Sequence, residues 1–428
     1  MNTDTLLAYS ALHAAIRKLV DSIDDFCLHP GKDFSRKRCL DAKTLVETIL
    51  TFRGGSLQSE LDQVFSAKSA PGKSAFVQQR EKLLPSAFRF LFDAFLSALP
   101  VPKLFNGYRL LACDGTDVNL PRNPKDELTS CMANPKAKSY NKLHVNALYD
   151  ICNAIFLDYS VDYGSQNYEA KALLAFTETP SFPEKSILTA DRGYCSPKLL
   201  LALQDSAVHF VFRVKDITSS TSVLHPYHLP DGEFDLCIER KLTCKRKKAF
   251  SDDSYVILSK KSLPDMEDAD YIPVRFRALR FMLPDGSYEA LVTNLSPEEF
   301  STDKIKEIYA LRWSIESRFR DLKYAIDLVH FHAKKHESIL QELHAAMLMF
   351  NYCSVICRDV ACGSNKTRHQ YKANFTQAIG LCYRFFLSGD ESVLAKLTRN
   401  PSAIRPGRSY PRYLHDTKPS KSFNYRVS

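Results

Sequence analysis

Two aspartates in this chain have the residue type and local setting that phosphate or metal chemistry uses. Asp114 directly follows a predicted strand at residues 108–113, Asp191 follows one at 186–190, and each has a glycine within two positions. A carboxylate at the end of a buried strand lies at the rim of a sheet, where a neighbouring glycine lets the backbone approach a ligand. One such aspartate is usually a turn or cap residue, whereas two on different strands favour a shared site without deciding it.

A third acid, Glu316, stands on a long predicted helix among other polar residues at helical spacing. Tyr309, Arg312, Glu316 and Lys323 are separated by 3, 4 and 7 positions. At about 100° per residue this spacing places them on one face of the helix. Arg320 falls near the edge of that face, and an apolar stripe beside it is suited to packing on a sheet. An exposed face with ion pairs explains the spacing as well as a catalytic surface does.

The predicted elements that must position these residues change character along the chain. Residues 1–104 read as helices, and residues 108–214 as three strands followed by alternating helices and strands, which predicts an α/β layer. Residues 217–289 are β-rich, with a hairpin turn at Pro-Asp-Gly. Two long helices are then predicted, at 302–327 and at 339–360.

Composition narrows the class of protein. The chain has 428 residues with 45% hydrophobic and 25% charged residues, which excludes collagen-like, disordered and small disulfide-stapled proteins. Its length allows two to four domains. Lys and Arg number 58 against 49 acids, a net charge of +9 that is compatible with binding a polyanion. The apolar stretches are too short to span a bilayer, and the N-terminus resembles no secretory signal. The scattered cysteines then predict reduced thiols in a cytoplasm.

Three smaller features have two explanations each. Arg275 and Arg277 share one face of a predicted strand, which is either a solvated face or a phosphate contact. The chain from residue 401 has six basic residues against one acid and is either a solubilising tail or a basic arm along nucleic acid. Three histidines, His330, His332 and His336, suggest zinc, but contact with the helix dipole or a phosphate is the better hypothesis.

The sequence resembles a known family at all three acids. The pattern Tyr-x2-Arg-x3-Glu-x6-Lys at 309–323 looks like the signature of the insertion-sequence-four family of bacterial DDE transposases. Asp-Gly-Thr at Asp114 and Ala-Asp-Arg-Gly-Tyr at Asp191 are similar to that family's blocks around its first and second catalytic aspartates, in the same order. The β-rich insert before Glu316 also resembles the one in this family, and the likeness covers roughly residues 105–335.

The resemblance implies a fold and a division into domains. The fold is α/β, with an RNase H-like (retroviral integrase-like) catalytic core that a β-rich insertion interrupts and an N-terminal helical domain precedes. The implied parts are an N-terminal helical DNA-binding domain at 1–104, the first part of the core at 105–216, the insertion at 217–289, the second part of the core with the catalytic helix at 290–362, and a C-terminal helical region with the basic tail at 363–428.

The resemblance also implies the chemistry. Asp114, Asp191 and Glu316 are expected to hold two Mg²⁺ ions, for which Mn²⁺ can substitute, because hard cations take oxygen ligands. The activity implied is cleavage of the ends of an insertion sequence, followed by transfer of the freed 3′-OH to target DNA. The residues expected to contact DNA are Tyr309, Arg312, Lys323, Arg320, Arg275 and Arg277.

The expected partner is double-stranded DNA, both the terminal inverted repeats and the target, bound by a homodimer in the synaptic complex. The implied location is the bacterial cytoplasm at the nucleoid, with no membrane partner. Two alternatives stay open from the sequence: a metal-dependent RNase H-like nuclease without strand transfer, and a catalytically silent DNA-binding protein descended from a transposase. A cytosolic zinc-binding module is a more distant alternative.

Overall fold

The structure is a computed structural model, and the elements described below lie in the following parts of the chain. They are residues 3–36, 38–65, 70–132, 138–164, 168–204, 206–247, 252–264, 269–358, 360 and 371–403. The predicted basic tail lies almost entirely outside them.

Helices form both ends of the described chain. Their bounds are α1 Thr3–Asp21, α2 Ala42–Leu50, α3 Leu57–Val64, α4 Lys73–Arg80, α5 Ser86–Ser97, α6 Glu169–Thr177, α7 Pro197–Gln204, α8 Thr302–Leu311, α9 Ser314–Arg320, α10 His336–Arg358 and α11 Phe375–Ser388. Side chains cap several of them: Asp41 accepts from the Thr44 amide at the start of α2, and Ser301, the predicted N-cap of α8, accepts from the Lys304 amide.

Strands occupy the middle of the chain. Their bounds are β1 Arg109–Leu120, β2 Ser130–Cys131, β3 Tyr140–Asp150, β4 Ile155–Tyr163, β5 Ser186–Ala190, β6 His209–Val214, β7 Phe234–Thr243, β8 Tyr255–Ile257, β9 Ile272–Met282, β10 Tyr288–Thr293, β11 Tyr371–Lys372 and β12 Ser402–Ala403. The predicted strand at 186–190 is confirmed at the residues expected.

One large sheet organises the molecule. Its strand order is β2-β3-β1-β5-β6-β10-β9-β7-β8, and β4 also pairs with β3. Strand β1 is central: it runs antiparallel to β3 and parallel to β5, which is in turn parallel to β6. All residues of β5 are buried, as expected of a strand covered on both faces. The mixed α/β prediction is therefore confirmed.

The β-rich segment extends this sheet. Strand β10 pairs antiparallel with β6, β9 pairs with β10, and β7 pairs with β9. The predicted hairpin turn between β9 and β10 is present, with Gly286 at a φ of 81° and a 2.7 Å bond from the Leu283 amide to the Ser287 carbonyl. Backbone pairing therefore makes these strands continuous with the central ones.

Helices cover both faces of the sheet with separate apolar cores. On one face α1, α2, α5, α9, α10 and α11 pack together over β3 and β4, and α8 packs beside them over β6 and β10. On the other face α6 and α7 pack against β5, β6, β7 and β9. The N-terminal helices thus share one core with α10, whose residues from Met347 to Tyr352 are all buried.

The single long helix expected at 302–327 is interrupted, which corrects that prediction. Helix α8 ends at Leu311, α9 begins at Ser314, and residues 321–325 form a π-helical turn. At the junction the amides of Arg312 and Ile315 bond to carbonyls three residues earlier, at 3.0 and 3.1 Å, so the backbone tightens there. Among the described helices, none has the length and apolarity that crossing a bilayer requires.

Candidate active site

The two aspartates lie at the same edge of the sheet. Cys113 and Ala190 are partners in the parallel pairing of β1 and β5, so Asp114 and Asp191 follow neighbouring positions on adjacent strands. The Gly115 amide donates to Asp114 Oδ1 over 2.9 Å. Burial raises the pKa of Asp114 to about 6, and the charges of Glu316 and Glu169 add to this shift.

Arg312 lies between the third acid, Glu316, and Asp114. This guanidinium is 1% exposed; its Nη2 donates to Glu316 Oε1 over 3.1 Å, and its Nη1 lies 3.8 Å from Asp114 Oδ2. The remaining nitrogen, Nε, is buried and finds no hydrogen-bond partner among the described residues. A buried donor without a partner costs free energy, so Arg312 Nε is an unsatisfied group beside these acids.

Tyr309 completes the set of contacts. Its hydroxyl donates to Asp191 Oδ1 over 3.3 Å, and burial raises its pKa, so it remains a phenol. Arg213 on β6 lies 3.9 Å from the same Asp191 oxygen and 3.0 Å from Glu289. Arg213 was not predicted from the sequence, because its position beside Asp191 depends on the pairing of β5 with β6.

The junction between α8 and α9 also exposes an aromatic ring beside these groups. Arg312 Cζ stands 4.7 Å from the centroid of the Trp313 ring, which is 43% exposed. Arg312 thus lies between carboxylates on one side and an accessible indole on the other.

Lys323 and Arg320 follow on the same side of the chain. Arg320 is exposed at the end of α9, and Lys323 lies half-buried in the π turn, where burial lowers its pKa. The nearby Asp117 carboxylate opposes that shift. Asp117 is held by Lys142 Nζ and His144 Nδ1, each at 2.8 Å.

Arg275 and Arg277 have different environments although they share one face of β9. The Arg275 side chain is 78% exposed and pairs with Glu239 at 2.9 Å. The Arg277 side chain is 4% exposed; it forms a bidentate pair with Asp235 at 2.6 Å and donates to the Phe300 carbonyl. The donors of Arg277 are directed inward, which is a structural role, so only Arg275 remains available to a phosphate.

A fourth acid, Glu169 at the start of α6, was also not predicted from the sequence. Its Oε1 lies 3.5 Å from Nε2 of His144, and a side chain added at Gly115 or Gly193 would meet its carboxylate. Burial lowers the pKa of His144, but the acids Asp117 and Glu169 outweigh burial and raise it to about 9. In the sequence, only a glycine within two residues of each candidate aspartate hinted at this close approach.

The other candidates serve structure. The His332 side chain is buried; its Nε2 donates to the Gly55 carbonyl over 3.2 Å and its Nδ1 lies 3.6 Å from Glu342, so it is not available to a phosphate. Asn146 donates to Asp162 over 2.9 Å. Within the described ranges, no cluster of three or more His, Cys, Asp or Glu side chains is arranged to hold a metal ion, zinc included.

The three acids have the donor type that a hard divalent cation takes. Asp114, Asp191 and Glu316 offer only oxygen atoms as ligands, although the described residues form no preassembled cluster around one point. Burial is the main cause of the raised pKa of Asp114, and the charges of Glu316 and Glu169 add to it. Arg312 supplies positive charge between these acids in the structure described.

Comparisons with known proteins place the chain in a family. A family model described as a transposase DDE domain matches residues 105–352, which is more than half of the chain. A cryo-EM structure of the piggyBac transposase synaptic complex with hairpin DNA is similar with a TM-score of 0.48 and 10% identity, covering 95% of this chain and 87% of that one. No curated protein matches the chain in sequence. On the family match, the chain belongs to the transposase DDE domain family.

Proposed function

We propose that this protein is a DNA transposase of the insertion-sequence-four family that binds the terminal inverted repeats of an insertion sequence, cleaves the element ends and joins the freed 3′-OH to target DNA. The observation that carries the proposal is the convergence on Arg312: Glu316 at 3.1 Å, Asp114 at 3.8 Å, and Asp191 through Tyr309. Acids from two strand ends and one helix lie around Arg312, whose Nε has no hydrogen-bond partner among the described residues.

The proposed reaction needs two kinds of group, and both are near this edge. When bound, two Mg²⁺ ions, or Mn²⁺ in their place, supply the Lewis-acid chemistry that activates a nucleophile and stabilises the leaving oxygen. Asp114, Asp191 and Glu316 are the proposed ligands. Water attacks phosphorus and breaks one P–O bond, leaving a 3′-OH; that 3′-oxygen then attacks a target phosphodiester, and a target 3′-OH leaves.

The basic groups are proposed to hold the DNA strand for this attack. Arg312 donates through Nη2 to Glu316, and a phosphate bound there would replace this carboxylate in bidentate geometry. Tyr309, Lys323 and the exposed Arg320 extend the same surface, and Arg275 is a more distant phosphate contact. These contacts would position the DNA backbone and would not read the base sequence.

The architecture supports an RNase H-like core within this proposal. Strands β4, β3 and β1 are antiparallel neighbours, and β1, β5 and β6 are parallel. In this interpretation β7 to β9 come from the insertion at 217–289, the helices of residues 1–104 bind the terminal repeats, and a homodimer at the nucleoid joins two element ends.

The proposal is tested with duplexes that carry the element's own end, incubated with protein and Mg²⁺ or Mn²⁺. We expect a nick at the element boundary and, with target plasmid added, a covalent joint at the 3′-OH. Nicking without joining favours the metal-dependent nuclease. Specific binding without cleavage in either metal favours a silent DNA-binding protein.

A further inference from the structure

The side of the sheet edge facing away from α9 holds a second charged group that the proposed reaction has not used. Glu169, His144 and Asp117 form a chain of ion pairs: Asp117 Oδ1 to His144 Nδ1 at 2.8 Å, and His144 Nε2 to Glu169 Oε1 at 3.5 Å. The His144 side chain is 5% exposed, and its Nε2 has no well-aligned hydrogen bond among the described residues. This nitrogen is directed at Glu169.

The Glu169 carboxylate fills space that two glycines leave open. An added Cβ at Gly115 would lie 3.0 Å from Glu169 Oε1 and 2.4 Å from His144 Nε2, and one at Gly193 would lie 3.5 Å from Glu169 Oε2. Gly115 directly follows Asp114, and Gly193 stands two residues after Asp191. One carboxylate therefore lies beside both turns that carry the proposed catalytic aspartates.

We infer that Glu169 is a positioning residue for the proposed catalytic site: held by the His144–Asp117 pair, it fixes the spacing of the Asp114 and Asp191 turns. The inference rests on the proposed function, because it assigns those two aspartates to metal binding. A carboxylate that lies beside both turns is placed to set the separation of the two proposed ligands. Residues that orient metal ligands in this way typically change metal affinity or activity by about 10–100-fold when mutated.

The matching experiment compares Glu169→Gln with Glu178→Gln, which changes an exposed glutamate beyond the other end of α6. Two quantities are measured: the rise in Tm of the DNA-free protein as Mn²⁺ is titrated, and the kcat and KM of end cleavage. We expect Glu169→Gln to need about 10-fold more Mn²⁺ for the same rise in Tm and to lower kcat with little change in KM. Glu178→Gln should match the wild type in both.

Further variants separate positioning from simple stability. Glu169→Asp keeps the charge but shortens the reach, and we expect it to recover part of the Mn²⁺ response. If Glu169→Gln does not fold, Asp117→Asn, which weakens the anchor of His144 from its exposed side, replaces it, with a smaller loss of Mn²⁺ affinity expected. A Glu169→Gln protein, or in its place Asp117→Asn, with wild-type Mn²⁺ response and wild-type kcat overturns the inference.

The outcome for the proposed function is read separately. A wild type that cleaves element ends while Glu169→Gln behaves identically removes the inference and leaves the transposase proposal intact. A wild type that never cleaves, but whose Mn²⁺ response is lost in both Asp114→Asn and Glu169→Gln, removes the proposed reaction and supports the positioning role. A wild type without any Mn²⁺ response contradicts both.

Discussion

Arg312 lies with its Nη1 3.8 Å from Asp114 Oδ2, so a residue at the junction of two helices contacts the central strand of the sheet. The same guanidinium donates to Glu316, one helical turn further along. Arg312 keeps helical φ and ψ angles, so its contact with Glu316 is the usual one between residues four apart on a helix. The arginine therefore lies between an acid at the sheet edge and an acid on its own helix face.

Glu316→Gln is expected to abolish cleavage while preserving the fold. The change keeps the shape of the side chain but removes the charge that a cation requires, and losses of about 10⁴-fold are common for such groups. Cleavage of labelled element ends measures the effect. The matched control, Glu307→Gln on α8, changes a glutamate whose side chain is 53% exposed and should retain wild-type activity. Undiminished cleavage by Glu316→Gln would mean that the acid lies elsewhere.

Arg312→Lys is expected to reduce cleavage by about 10²-fold, because a single ammonium cannot span two carboxylates and also present a fork to phosphate. The charge is conserved, so a general electrostatic role predicts almost no change. Single-turnover cleavage rates distinguish these outcomes. Arg384→Lys on α11, where the exposed Arg384 bonds only locally to the Gly380 carbonyl, provides the comparison.

Alanine substitution of Arg277 should lower stability, whereas alanine substitution of Arg275 should weaken DNA binding. Arg277→Ala leaves Asp235 unpaired beneath α8, and removal of one partner from a buried pair costs about 3–5 kcal/mol of unfolding free energy. Arg275→Ala, at an exposed side chain, should change stability by less than about 0.5 kcal/mol and weaken DNA binding at low salt. Urea unfolding and filter binding of both variants test the assignment; equal stability losses would refute it.

The buried pair of Arg80 and Glu342 should hold α4 against α10. Arg80 contacts Glu342 at 2.7 Å and also bonds to Gln341 and the Ser338 carbonyl. Arg80→Met is expected to lower the free energy of unfolding by about 3–5 kcal/mol. The exposed pair Lys335–Glu81 joins the same two parts of the chain, and Lys335→Met should cost less than about 1 kcal/mol. Comparable effects on urea unfolding would contradict the burial argument.

Acid should destabilise the protein through His344. Burial, with a smaller contribution from Arg89, lowers its pKa from 6.5 to about 4, and its Nδ1 lies 2.9 Å from the Tyr159 hydroxyl. His344 binds a proton more weakly in the folded state than in the unfolded state. Its contribution to the free energy of unfolding is therefore complete above pH 6.5 and is lost as the pH falls to about 4. We expect this loss to be about 2–3 kcal/mol.

His344→Gln removes this titrating group, so the variant should lose less stability than the wild type as the pH falls from 6.5 to 4. The raised pKa of Asp114, about 6, acts in the same range with the opposite sign and is present in both proteins. Urea unfolding of both proteins at several values between pH 4 and pH 7 gives the comparison. The depressed pKa of Glu342, about 2 because Arg80 and His332 outweigh its burial, acts only below pH 4.5 and does not overlap most of the window. A variant with the same slope as the wild type would show that another group is responsible.

Much of the fold was readable from the chain because it is local. The strand at 186–190 is a short apolar run with turn residues on both sides, and the helix at 197–204 follows it with helical periodicity. The hairpin at Gly286 has a turn sequence that needs a positive φ. The helix at 302–327 could not be predicted correctly, because nothing in its periodicity marks the tight turn at Arg312.

The sequence by itself determined the residue types of the candidate site: three acids in family order, with a tyrosine, an arginine and a lysine at fixed spacing. Only the tertiary structure decided which groups meet there. Arg213 lies at the site because β6 pairs with β5, and Glu169 lies there because α6 begins beside two glycines. Arg277 does not, because it pairs with Asp235 on the neighbouring strand β7. Spacing along one chain fixes neighbours within an element, whereas contacts between distant elements depend on strand order and on which face each helix covers.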